Sequence, residues 1–352
     1  MAGDTNRSER SEIQQKLGSI LRTSSLPASP LPASFLKQIT NDFAVENELG
    51  SFFSGKVYKG TLKDRSIIAV KKLAENSPVA FGSVFNTEVT NLMAIRHENI
   101  VELVGFCHEE RSDVMSHNRR YVIVDIKDYL LCYEYLPKGS LDRHLYAKTL
   151  VIDWDTRWKI ITGICHGLHF LHQRPEGPLI HMNLEPSSIW FDDNWVPKIA
   201  NFGLSRIFGQ EQTRMHTINV VGRIGYMAPE YLYRGEISTR SDIYSLGMII
   251  IQITTGEIND LNSEDISGRK FIEKVHKNWW SSEDTVTSKY PSLDEYRIQQ
   301  LKSCMIIGLK CVEADRNKRP SMVDIVNKLN GKQVKIFDEA SVTATETRTF
   351  LS

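Results

Sequence analysis

Residues 243–253 (IYSLGMIIIQI) are apolar almost all round, which marks a helix buried on every side. Such a helix needs folded protein around its whole circumference, and 352 residues are enough for one large domain or two modest ones. Trp158, Ile161, Cys165 and Leu168 recur on one face of a second helix, with Ile160, Ile164 and Leu171 beside it. Upstream the pattern changes. Residues 49–57 (LGSFFSGKV), 66–73 (SIIAVKKL) and 129–136 (YLLCYEYL) read as strands, while Phe85, Val89, Leu92 and Ile95 place a helix over 85–96. The fold class expected is therefore α+β. A small strand-rich lobe over about 34–137 precedes a larger helical lobe over about 138–332, with a ligand cleft between them. Residues 1–33 read as a flexible polar leader with a short helix near 13–21, and 333–352 as a flexible Ser/Thr-rich tail.

Composition excludes several classes. Lys+Arg and Asp+Glu both number 43, so there is no electrostatic case for a general nucleic-acid or membrane-surface role. An apolar fraction of 41% argues against wholesale disorder. The five cysteines (Cys107, Cys132, Cys165, Cys304, Cys311) show no C-x-x-C spacing and read as reduced core thiols of an intracellular protein. No stretch approaches the roughly 20 apolar residues of a membrane span. The N-terminus lacks the apolar run of a signal peptide, and Ala2 excludes myristoylation. Ten histidines, including His166, His169 and His172 at helical spacing, form no metal-ligand pattern.

A series of segments in order then carries a resemblance: FLKQITNDFAVENELG, AVKKL, HENIVELVGFC, YEYLPKGSLDRHLY, GLHFLH, VVGRIGYMAPEYL, SDIYSLGMIII and RPSM. Over roughly residues 35–329 the chain resembles plant receptor-like kinases and their cytoplasmic relatives, with the bilobal protein kinase fold. The resemblance implies that Lys71 holds the α- and β-phosphates of ATP and pairs with Glu88. It places Gly50, Phe52, Gly55, Val57, Ala69, Glu134, Leu136 and Trp190 around the nucleotide. It also implies an apolar stack of Leu92, Leu103, His181 and Phe202 anchored by Asp242, and a Glu230–Arg319 pair that ties the activation segment down.

The chemistry-bearing positions depart from the family pattern. Asn183 stands at the catalytic Asp, and an amide accepts no proton at neutral pH, which removes general-base help of about 10²–10⁴-fold. Asn201 stands at the metal-binding Asp and Ser188 at the second metal ligand, an Asn; both are neutral, and the Ser is also short. Glu185 replaces a phosphate-facing Lys, a repulsion on the order of a few kcal/mol at an effective dielectric of 20. Arg223 replaces a Thr that bonds to the catalytic Asp and Lys. In the glycine-rich loop Gly50 and Gly55 survive, but Phe52 takes the middle Gly, where close phosphate approach needs no side chain. Trp190 occupies the adenine floor, normally Leu.

Met182, where many kinases carry Arg, resembles the non-RD receptor-like kinases tied to innate immunity. Residues 108–128 lengthen a hairpin, as in some grass receptor-like kinases, either as a tolerated insertion or as a partner-binding loop. With no intact catalytic set, the resemblance implies a pseudokinase rather than an enzyme. It would act by binding: as a scaffold, as an allosteric partner of an active receptor-like kinase, or as a decoy for a pathogen effector in plant defence. The alternative is a weak or atypical ATP-dependent Ser/Thr protein kinase. No cofactor and no metal are expected, with ATP without Mg²⁺, a structural ligand that is not turned over, as an alternative within the pseudokinase reading; the kinase alternative would use ATP through Lys71 and an unorthodox metal arrangement. Protein partners are expected, with no nucleic acid and no membrane insertion. The location expected is cytoplasmic, with recruitment to the plasma membrane by a partner.

Overall fold

A computed structural model describes residues 12, 13, 17, 18, 27–52, 54–74, 81–117, 120–146, 152–209, 212–259, 268–279 and 290–337. The chain forms two units, one of residues 1–139 with 202–204 and the other of 140–201 with 205–352.

The first unit is built on a six-stranded sheet in the order β1-β5-β6-β4-β3-β2. Its strands are β1 (Ser29–Pro30), β2 (Glu48–Phe52), β3 (Gly55–Thr61), β4 (Ile67–Leu73), β5 (Leu103–His117) and β6 (Arg120–Glu134). β1 runs parallel to β5 and every other pair is antiparallel. Gly55 lies at φ 148°, where a Cβ would sit 2.1 Å from the Lys72 carbonyl oxygen, so this hairpin corner admits no side chain. β5 and β6 pair from Leu103↔Tyr133, with a register shift before Gly105, out to His117↔Arg120, so residues 108–117 and 120–128 are the outer part of one ribbon. Asp128, buried at its base, accepts from Lys37 Nζ at 2.9 Å and Arg111 Nη1 at 2.7 Å.

Helix α1 (Ala33–Ile39) contributes Phe35 and Leu36 to a core shared with Ile68, Val70, Val104, Leu130 and Cys132. Leu17 and Leu31 belong to the same core, and Leu17 is fully buried. The leader expected to be flexible up to residue 33 therefore starts packing much earlier, because its apolar residues cover a sheet face that would otherwise meet water. Helix α2 spans Phe81–Met93, shorter at its C-terminal end than the 85–96 expected, and buries Val84, Phe85, Glu88 and Leu92.

The second unit is organised around α6 (Thr239–Thr255), whose residues 241–255 are all buried, as the all-round apolar pattern predicts. The unit also contains α3 (Leu141–Tyr146), α4 (Trp154–His172), α5 (Pro229–Arg234), α7 (Arg269–Trp279), α8 (Glu295–Cys311) and α9 (Met322–Leu329). Ser238 and Ser241 form a capping box at the start of α6, and Gly256 ends it in the left-handed region at φ 68°. At Gly247 a Cβ would fall 2.6 Å from Cys311 Cβ, so α6 and α8 pack with backbone nearly touching. Arg319, fully buried, holds Glu230 through two bonds of 2.7 and 2.8 Å and fixes α5.

All five cysteines are free and buried. Among the described residues no helix is long and apolar enough to cross a membrane. Trp279 is buried; Trp280 and residues 338–352 lie outside the described residues. The tail expected to be loose from 333 begins with a 3₁₀ turn, Lys335–Phe337, that buries Phe337.

Candidate active site

In the first unit the site is built on a buried ion pair. β4 delivers Lys71 and α2 delivers Glu88, with Lys71 Nζ 3.0 Å from Glu88 Oε2 and both side chains almost fully buried. The second carboxylate oxygen accepts from Tyr133 Oη–H at 2.7 Å and from the Phe202 N–H at 3.2 Å. Burial, with the adjacent Glu88 charge, holds the Tyr133 phenol well above its ordinary pKa, so it stays a donor. Gly203 lies so close to α2 that a Cβ would sit 2.4 Å from Val84 Cγ1, which fixes the helix against the Phe202–Leu204 turn. Desolvating two charges is costly, and this pair is compensated by hydrogen bonds on both carboxylate oxygens.

Of the nucleotide positions expected from the sequence, all but Trp190 belong to the same unit as Lys71. Gly50 pairs with Val57 across β2–β3, and Phe52 pairs with Gly55. Phe52 turns inward, with Lys71 Nζ 5.8 Å from its ring centroid. Val57, Ala69 and Leu136 are buried, and Glu134 accepts from the Glu102 N–H at 2.9 Å. These residues come together in one unit. Trp190 belongs to the other, on β7 (Ile189–Phe191), and its indole N–H donates to the Ser187 carbonyl at 2.9 Å.

The second unit holds the catalytic-loop positions. Asp242, buried on α6, accepts from the His181 N–H at 2.7 Å, the Met182 N–H at 2.9 Å and His172 Nε2 at 2.9 Å. Those bonds hold Met182 at φ 63°, a left-handed conformation that costs a non-glycine residue about 1–3 kcal/mol. His181 Nε2 faces the Ala200 carbonyl at 2.9 Å while its Nδ1 accepts from the Asn183 N–H, which puts the proton on Nε2. Asn201 is buried, with φ 68°.

Glu185 and Arg223 face one another, with Arg223 Nη1 3.1 Å from Glu185 Oε2. The cation that the sequence lacks at 185 arrives from 223. Burial pushes the Glu185 carboxyl above its usual range, against the pull of Arg223. For Arg223 burial is the largest influence and works against the charge, but Glu185, Tyr226 and Tyr146 together outweigh it and the guanidinium pKa is raised.

Ser188 is fully buried; its Oγ–H donates to the Glu185 carbonyl at 2.7 Å and its Oγ accepts from the Glu185 N–H at 3.0 Å. With Ser188 engaged in this turn and a neutral amide at Asn201, the donor set does not fit Mg²⁺, which demands hard, anionic oxygen.

Two contributors escaped sequence reasoning. Tyr133 was one of three tyrosines in the 129–136 run, with nothing local to single it out. The Glu185–Arg223 pair did leave a signal: substitutions of opposite sign at two positions that touch in the family pattern.

Comparison with known proteins follows the same lines. The protein kinase domain family matches residues 43–329. The G-type lectin S-receptor-like serine/threonine-protein kinase SD1-13 of Arabidopsis thaliana is 35% identical over 82% of this chain and 33% of its own length. Cysteine-rich receptor-like protein kinase 10 of the same plant is 34% identical over 86% of this chain and 43% of its own. The chain thus spans well under half of the curated relatives it matches. These matches overturn the expectation that the chain is not an enzyme, since the family and the relatives' names are those of protein kinases. That expectation weighed the departures together; in the structure the Lys71–Glu88 pair is in place and Arg223 faces Glu185.

Proposed function

We propose, since this chain belongs to the protein kinase family, that it is an atypical ATP-dependent Ser/Thr protein kinase working through Lys71. The observation that supports it is the buried Lys71–Glu88 pair, with Tyr133 and the Phe202 N–H completing the carboxylate. An aligned ammonium at this position is what phosphate binding by the family requires. ATP supplies the phosphoryl group, and Lys71 would hold its α- and β-phosphates; the metal-poor donor set favours nucleotide bound without Mg²⁺. Ser/Thr hydroxyls of proteins are the acceptors that the relatives' names suggest, and signalling is the setting.

The test is phosphoryl transfer from [γ-³²P]ATP to a generic Ser/Thr protein substrate, run with Mg²⁺ and with chelator. Transfer that falls at least 100-fold in Lys71→Met is expected. Transfer equal in both proteins, or none in the unaltered protein, refutes the proposal.

A further inference from the structure

We infer that Phe52 sets which ligands this site takes, by competing with phosphate for Lys71, an inference that rests on the reading of Lys71 as the phosphate-binding cation. The contact lies within the first unit. Its origin is the strand register. Gly50 pairs with Val57 across β2 and β3, and Val57 pairs with Lys71 across β3 and β4. Cross-strand partners share one face of a sheet, and so do residues two apart on one strand. Phe52 therefore points to the side that carries Lys71. Opposite it stands Gly55, which puts no side chain beside the ring. The ring centroid lies 5.8 Å from Lys71 Nζ.

The face of an aromatic ring is its negative side, so Phe52 attracts the ammonium it covers, and desolvation strengthens that attraction. A phosphate oxygen bonds to an ammonium at about 2.8 Å, and a whole phosphate group does not fit between Nζ and a ring centroid 5.8 Å away. Glu88 Oε2 holds Nζ at 3.0 Å, and with the Lys71 side chain 2% exposed little of the ammonium is open on any other side. A ligand whose phosphates reach Lys71 must displace the ring. Its apparent affinity falls in proportion to the fraction of molecules in which the ring already stands aside. ATP and ADP bear this cost equally, since both present α- and β-phosphates; adenosine, without phosphate, bears none. Phe52 thus narrows the margin by which the site prefers a polyphosphate to its nucleoside.

The test is isothermal titration of the full chain with ATP, ADP and adenosine, with Mg²⁺ and with chelator. Phe52→Gly is expected to tighten ATP and ADP by one common factor of about 2–30, the range of a cation–ring contact from exposed to desolvated, and to leave adenosine unchanged. Phe52→Leu keeps bulk at the hairpin without the ring's negative face, and should recover most of that gain. If adenosine tightens along with ATP, or if Phe52→Leu matches the unaltered protein while Phe52→Gly gains, the ring is mere bulk in the pocket and the inference falls. Phe52→Gly with the affinities of the unaltered protein, beside Lys71-dependent phosphoryl transfer, overturns it while the kinase reading stands. ATP bound by none of these proteins, or bound undiminished by Lys71→Met, overturns both.

Discussion

At the scale of single residues, charge balance decides what this site can do. Lys71 is 2% exposed at its side chain and has Glu88 as its counter-charge. Removing one half of such a buried pair costs about 3–5 kcal/mol, because the other half stays charged in a poorly polar surrounding. Glu88→Gln, which keeps the shape, should therefore lower the free energy of unfolding by that amount in urea titration; a loss under 1 kcal/mol would show the pair to be dispensable. Lys71 and Glu88 were legible in the sequence because their spacing follows the family pattern. Glu185 and Arg223 were legible as departures but not as partners, since 38 residues separate them and only the fold sets their side chains face to face. Phe52 was read as an obstruction, and its ring does lie over Lys71; the direction of a side chain in a glycine-poor loop depends on its neighbours across the sheet.

At the scale of elements, α2, α4 and α6 were legible in the sequence and the short irregular connections were not. α6 was plain from its all-round apolar run, and α4 from its repeating face, because burial imposes those periods directly. The turns that position Met182 and Asn201 at positive φ carry no such period; they follow from Asp242 and the local packing. A pH-sensitive contact sits beside α7. Burial acts to raise the Glu257 carboxyl, but hydrogen bonds from Lys274, Trp279 and Asn278 outweigh it and draw the pKa down to about 2. A depressed carboxylate contributes stability above its unfolded pKa and loses it as pH falls through the folded value. The contribution is present at neutral pH, reduced by solvent screening, and it should disappear as the pH falls from about 4.5 to about 2. Denaturant unfolding of the protein and of Glu257→Gln over that range should converge at the acid end. Parallel curves would place the acid sensitivity elsewhere.

At the scale of the whole molecule, the chain keeps the two-part organisation read from its sequence, a sheet-based unit followed by a helical one. The boundary of the first was misjudged. Leu17, Leu31 and strand β1 lie in a segment whose polar, proline-bearing composition masks the few apolar residues that pack. Composition averages over a window, whereas burial selects individual side chains. Leu17→Ala should destabilise the protein by about 2–5 kcal/mol, the usual cost of emptying a core site; an unchanged urea midpoint would mean that the leader does not dock. What the two units together are for rests on one claim, that ATP is turned over through Lys71. Mass spectrometry of the purified protein and an added protein substrate after incubation with ATP tests it most directly. Phosphate on Ser or Thr in the unaltered protein's reaction, absent with Lys71→Met, is the result predicted. An unmodified product in both, or equal modification in both, contradicts it.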